Sequence, residues 1–242
     1  MSEILMIIVL TGGAGACIAL GGAVASFEHI RPGWLEQELR HFVIAFGGGI
    51  LLGAVAVVLV PEGVADMNGS LFAIPIMVAG GLVFLVVERA MGLRRRQSPQ
   101  LMGMLLDFVP EAIALGGMLA LGGPAAPLLA LLIGLQNLPE GFNTYRELRA
   151  NDLDSRRTLL AMAAMALLGP LAGLAGYFFL SGHEGVLGAI MLFASGGILY
   201  LIFQDIAPQS RLEKHWAPPL GAVLGFCLAL FGKLVVSGAP GG

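Results

Sequence analysis

The sequence predicts an all-α integral membrane protein of eight transmembrane helices, and three observations lead there. Of the 242 residues, 57% are hydrophobic and only 12% charged, with a mean hydropathy of +0.87. No ordinary water-soluble domain has that balance. Apolar runs of roughly 20 residues, the length that crosses ~30 Å of hydrocarbon, follow one another along the chain. Finally, the cations gather in alternate connections between those runs.

The runs place spans at 4–26, 42–63, 71–91, 101–122, 126–146, 158–180, 185–207 and 217–237. They use nearly the whole chain, so residues 1–242 read as a single transmembrane domain. The first run begins at Ile4 with no basic segment ahead of it. It is too long for a signal-peptide core and reads as a true span. The 36 glycines and 13 prolines fit a bilayer setting: small residues let helices approach, and neighbours can satisfy the carbonyls that a proline frees. Cys17 and Cys227 form no CxxC pair and read as apolar packing.

Numbering the connections from 1 to 7, the odd ones carry Arg31 and Arg40; Arg89, Arg94, Arg95 and Arg96; Arg146, Arg149, Arg156 and Arg157; and Arg211 and Lys214. That is twelve of the 13 cations, with Lys233 the exception. The positive-inside rule puts the odd connections in the cytoplasm and both termini outside, in a cell (inner or plasma) membrane. The basic runs interleave with spans, so they read as a topology signal and no nucleic-acid partner is expected.

Two stretches carry acids where a bilayer disfavours them: Asp107-Phe108-Val109-Pro110-Glu111-Ala112 in span 4, and Gln136-Asn137-Leu138-Pro139-Glu140-Gly141 in span 5. A charge at that depth costs several kcal/mol and marks a functional interior. Counting ~1.5 Å per residue from each helix start, Glu111 and Gln136 share a level near the middle of the bilayer. Asp107 and Glu140 share another, one turn nearer the cytoplasm. Each i, i+4 pair projects from one helix face. A short turn between antiparallel neighbours lets those faces meet, giving three carboxylates and an amide. Such a cluster repels itself at low dielectric unless protons or a multivalent cation relieve it. Oxygen-rich clusters suit divalent metals. Pro110 and Pro139 each remove a helical N–H, freeing the carbonyls of Leu106 and Leu135, and such breaks line transporter sites.

Below the cluster, Gln136, Glu140, Asn143, Thr144 and Glu147 fall on one face toward the cytoplasm. Span 7 adds Gln204 and Asp205 ahead of Pro208, whereas residues 112–122 hold no polar side chain. The expectation is a path wetted from the cytoplasmic side and closed by apolar residues outside. Glu62 and Asp66 at the outer end of span 2 read as a solvated helix end, and His29, His41, His183 and His215 as loop histidines.

The run Gly134-Leu135-Gln136-Asn137-Leu138-Pro139-Glu140-Gly141 closely resembles the fifth-helix signature of the ZIP (Zrt/Irt-like protein) divalent metal transporters, bacterial branch. Residues 107–112 resemble the fourth-helix signature, usually His-Asn-x-Pro-Glu-Gly. Residues 46–63 resemble the second helix and residues 194–208 the seventh. The resemblance implies a secondary transporter carrying a divalent cation of the zinc, manganese or iron class into the cytoplasm. Its metal ligands would be Asp107, Glu111, Gln136 and Glu140. Of the second adjacent site found in some members only Asn137 remains, because Phe108 and Gly169 stand where that site has ligands. This implies one ion, and Asp107 in place of His implies harder ions. The metal is substrate and no organic cofactor is expected. The lipid bilayer is the medium, and Gly-rich faces permit a homodimer. Without HExxH, a Ser/His set within the spans or a nucleotide-binding motif, neither an enzyme nor an ATP-driven pump is expected. A degenerate member that binds metal or a partner without transporting is the alternative.

Overall fold

The computed structural model describes residues 2–27, 33–92, 99–151, 153–211 and 216–238. His29, Arg31, Arg94, Arg95, Arg96, Lys214 and His215 lie outside the described residues. Among the described residues, the chain is helical with no strand. The helices are α1 (Glu3–Phe27), α2 (Gly33–Ala54), α3 (Val60–Asp66), α4 (Ala73–Gly92), α5 (Pro99–Ala120), α6 (Ala126–Ala150), α7 (Ser155–Ala166), α8 (Leu168–Leu180), α9 (Glu184–Leu201), α10 (Ala207–Ser210) and α11 (Ala217–Gly238). A π-turn at Val55–Leu59 joins α2 to α3, and another at Ile202–Ile206 joins α9 to α10. With α7 and α8 meeting at Leu167, the described helices form eight rods.

Seven rods are long and apolar enough to cross a membrane, as expected of a multi-pass membrane protein. The rod outside that set is α6. It has 25 residues, but Gln136, Asn137, Glu140, Asn143, Thr144 and Glu147 interrupt its apolar run. Neighbouring helices enclose it instead, burying fifteen of its residues. By contrast, α4 and α11 leave most of their apolar windows open, at 22% and 17% buried.

Prolines explain the irregular turns. A proline ring clashes with the carbonyl four residues earlier. Pro61 and Pro208 open α3 and α10, and the carbonyls they oppose belong to Val57 and Gln204, inside the two π-turns. The wider turn takes up the clash, one of the recognised causes of helix irregularity. The helices carrying Pro110 and Pro139 continue through them, so the motif prolines do not interrupt their helices.

Helices pack mainly as α2 with α11, α1 with α6, α5 with α8, and α4 with α9. Contacts along α1 and α6 advance together, from Ala14 beside Gly134 to Gly21 beside Phe142, so the two run parallel. A Cβ at Gly21 or Gly141 would collide with the partner's backbone carbonyl, of Leu138 or Ile18. Only glycine permits this approach, which fixes the height of α6 against α1. The pairing also has a two-fold pattern. Exchanging the first three rods for the last three, and α5 for α6, maps the main contacts onto themselves. The same exchange superposes the π-turns and the two Pro-Glu motifs.

Candidate cation site

α5 and α6 cross antiparallel at the centre, and their motif residues meet in two pairs. Gln136 Nε2 donates to Glu111 Oε2 at 2.6 Å. One turn toward the arginine-bearing end, the carboxyl groups of Asp107 and Glu140 approach closely enough to share a hydrogen bond. Two carboxyls share a hydrogen bond only when a proton lies between them, and ionised they repel. The exchange that swaps α5 and α6 carries one pair onto the other, since Asp107 corresponds to Gln136 and Glu111 to Glu140.

The site is buried and carries spare oxygens. Glu111 and Gln136 are fully buried and Asp107 is 3% exposed. Glu111 Oε1, Gln136 Oε1 and Glu140 Oε2 are buried without a hydrogen-bond partner. Buried polar atoms are nearly always partnered, so three orphans in one place call for an explanation. Among the described residues, no three Asp, Glu, His or Cys side chains gather into a ready metal cage. An ion here would draw on amide oxygen as well as carboxylate.

Asp107 is held by its own turn, where Oδ1 accepts from Phe108 N–H at 2.7 Å. Asn137 is turned away from the pairs, donating Nδ2 to the Ala14 carbonyl of α1 at 2.9 Å and leaving Oδ1 buried without a partner. Phe108, fully buried, points between α1 and α8. A Cβ built on Gly169 would lie 2.9 Å from its Cζ, and one on Gly15 3.1 Å. The phenyl ring therefore fills the space between α1 and α8 beside Gly15 and Gly169.

A cavity of about 50 Å³ reaches the Asp107–Glu140 pair. Its polar lining is Asp107, Glu140, Asn143, Asp205 and Gln209. Gly47 and Gly48 of α2 form its wall, beside Pro139 and Ile206. All of these lie at the end where the described arginines are. Beyond Glu111 the interior is apolar and closed by Leu115, Met118, Leu119, Leu129 and Ile133, all buried. The cavity thus breaks the two-fold pattern that the paired acids obey. Thr144 and Glu147 do not line it. Thr144 Oγ1 lies 3.9 Å from Met104 Sδ, and Glu147 Oε2 accepts from Leu101 N–H near the start of α5 at 3.4 Å. Gln204 is exposed.

Sequence reasoning missed Met104 and the walls at Ile44, Gly47 and Gly48. Met104 precedes Asp107 by three residues, a helical spacing that could have drawn attention to it. The glycines read only as packing residues. At the opposite end, Lys233 Nζ meets Glu62 Oε1 at 3.4 Å, giving the one cation outside the odd connections an acidic partner. His183 is exposed there. His41, at the arginine-bearing end, bonds the Gln37 carbonyl through Nδ1 at 2.6 Å.

No protein-family model and no curated protein matches this chain.

Proposed function

We propose that this protein is a secondary transporter that brings a divalent cation of the zinc, manganese or iron class into the cytoplasm. All eight rods would span a cell membrane, with both termini outside, as the arginine distribution requires. The observation that carries the reading is the meeting of Asp107, Glu111, Gln136 and Glu140 between α5 and α6, with buried oxygens left unpartnered. A dication satisfies those oxygens and offsets the like charges at low dielectric. The resemblance of residues 107–112 and 134–141 to the ZIP signatures supports the same reading.

The two-fold pattern supports a mechanism. Repeats of opposite orientation around a central site are a recurrent transporter design, in which one half rocks against the other. A cavity on the arginine-bearing side of the paired acids, with an apolar interior beyond Glu111, fits one state of such a cycle. Moving the opening to the other side of the Glu111–Gln136 pair would be the second state. No group in this scheme makes or breaks a covalent bond, so the reading is not enzymatic.

A second reading, binding without transport, draws on the hydrogen bond that already engages Gln136 with Glu111. Uptake of manganese, iron, zinc, cobalt and cadmium into proteoliposomes separates the two. Transport predicts uptake of at least one metal by wild type and its loss in Glu111→Ala and in Glu140→Ala. Uptake that survives both substitutions would reject the site. No uptake of any metal by wild type would leave the binding reading in its place.

A further inference from the structure

α1 and α6 carry glycines that their own contact does not need. At Gly21 and Gly141 a Cβ would strike the partner helix's backbone, but a Cβ at Gly13 would meet nothing within 4 Å. One at Gly134 would reach only ordinary contact, 3.4 Å from Cys17 Sγ. The space these residues leave is a second cavity, of about 320 Å³, between the two helices. Its floor is Gly13, Ala14, Cys17, Ala130 and Gly134, and its lining residues include no charged or amide side chain. Val9, Leu131 and Leu138 on its rim are exposed, so it opens onto the apolar surface of the bundle.

Size and depth name the occupant. Along α6 the lining runs from Pro127 to Leu138, which is ~16 Å at the rise of an α-helix. Spread over that length, the volume gives a slot roughly 20 Å² in section. A helix with its side chains is ~10–12 Å across and does not enter. A hydrocarbon chain, which stands ~4 Å from its neighbours, does. Pro127 lies at the start of α6, the end away from the described arginines, and Leu138 adjoins Pro139 of the motif. The slot therefore runs from that membrane surface to the middle of the bilayer.

We infer that this slot holds one acyl chain of a phospholipid from the leaflet opposite the arginines. With C–C bonds of ~1.5 Å in zigzag, its length takes roughly 12–13 carbons. In lipid the driving force is dispersion, because an unfilled slot forfeits contacts that a seated chain makes. The chain rather than the headgroup is recognised, since no charge lines the slot. Its seat lies behind the turn that carries Gln136 and Asn137, and Asn137 Nδ2 bonds the Ala14 carbonyl of the floor at 2.9 Å. A seated chain thus braces α6 against α1. The inference needs only that the rods lie in a bilayer and is independent of what α5 and α6 bind.

The test is native mass spectrometry of the delipidated full chain in detergent micelles, titrated with synthetic phosphatidylcholine bearing saturated fourteen-carbon chains. Wild type should retain one lipid per chain. Gly13→Phe fills the slot and should weaken retention at least about tenfold, while its melting temperature in lipid-free micelles stays at the wild-type value because nothing stands above Gly13. Eight-carbon chains should bind wild type at least about tenfold more weakly, an arm that needs no substitution. Phosphatidylglycerol with the same fourteen-carbon chains should bind within about twofold of phosphatidylcholine. No retained lipid in wild type, or equal retention in Gly13→Phe, would overturn the site. Retention that follows the headgroup and ignores chain length would overturn it as an adventitious additive only. A dimer that Gly13→Phe dissolves would give the groove to a second copy and overturn it too. The lipid count should be unchanged in Glu111→Gln with Glu140→Gln, whose Mn²⁺ binding decides the cation site separately.

Discussion

Phe108 and Gly169 are complementary across α5 and α8. The phenyl ring is fully buried and occupies the space left by the missing side chain, with 2.9 Å between its Cζ and a Cβ built at Gly169. The same Cβ would lie 2.5 Å from the Thr11 carbonyl oxygen of α1. Three helices therefore meet at a point where one large and one absent side chain fit together. Gly169→Val should lower the melting temperature in micelles. Adding Phe108→Ala should relieve the ring clash, so that the double variant is less destabilised than the two single effects added. Simple additivity would mean that the two sites do not share this space.

The Gln136–Glu111 hydrogen bond orients one acid of the proposed site. Gln136→Leu keeps the volume and removes the amide's oxygen and NH2 together, leaving Glu111 buried without its donor. Orienting partners of ligands are typically worth 10–100-fold in metal affinity. Mn²⁺ affinity of the purified chain should fall by about that factor, and an unchanged affinity would remove Gln136 from the site.

In the proposed site, Asp107 would harden the ligand set. Replacing it with His adds a borderline nitrogen and removes a negative charge, which favours zinc over manganese. Asp107→His should raise the ratio of zinc to manganese uptake in proteoliposomes. A ratio equal to that of wild type would count against Asp107 as a ligand.

The cavity depends on glycine in α2. A Cβ at Gly48 would lie 2.6 Å from Cγ2 of Ile206, next to the acid of the π-turn. Gly48→Val should therefore slow uptake while leaving Mn²⁺ affinity within about twofold, because it narrows the cavity without touching the Glu111–Gln136 pair. Uptake at the wild-type rate would show that ions do not use this route.

Lys233 and Glu62 are each about a third exposed, at 31% and 28%. Exposed pairs contribute roughly 0–1 kcal/mol. Lys233→Met should leave the melting temperature and the uptake rate close to wild type. A strong loss of uptake would give this pair a role in the outer opening.

Much of the architecture was legible in the chain. Apolar runs locate rods because each backbone polar group in lipid must be satisfied within its own helix, so a span records itself as ~20 apolar residues. α6 is the informative exception. Its polar face lowers its hydropathy, and its neighbours rather than its composition keep it inside. The pairing of Glu111 with Gln136, and of Asp107 with Glu140, followed from helical rise and antiparallel direction alone.

Which way a side chain turns was not legible. Asn137 neighbours Gln136, yet it bonds to α1, because the glycines at 21 and 141 bring that helix within reach. Glu147 shares the polar face of α6, yet it serves the start of α5.

The sequence by itself determined that the chain is helical, apolar and acid-bearing at the centre, since these properties depend on neighbours a few residues away along one helix. Only the tertiary structure decided that a cavity lies on the arginine-bearing side of the paired acids, that Asn143 and Asp205 line it together, and that Phe108 fills the space beside Gly169. Those facts depend on distances between helices, set by glycine contacts and proline-induced turns whose partners lie far apart in the chain.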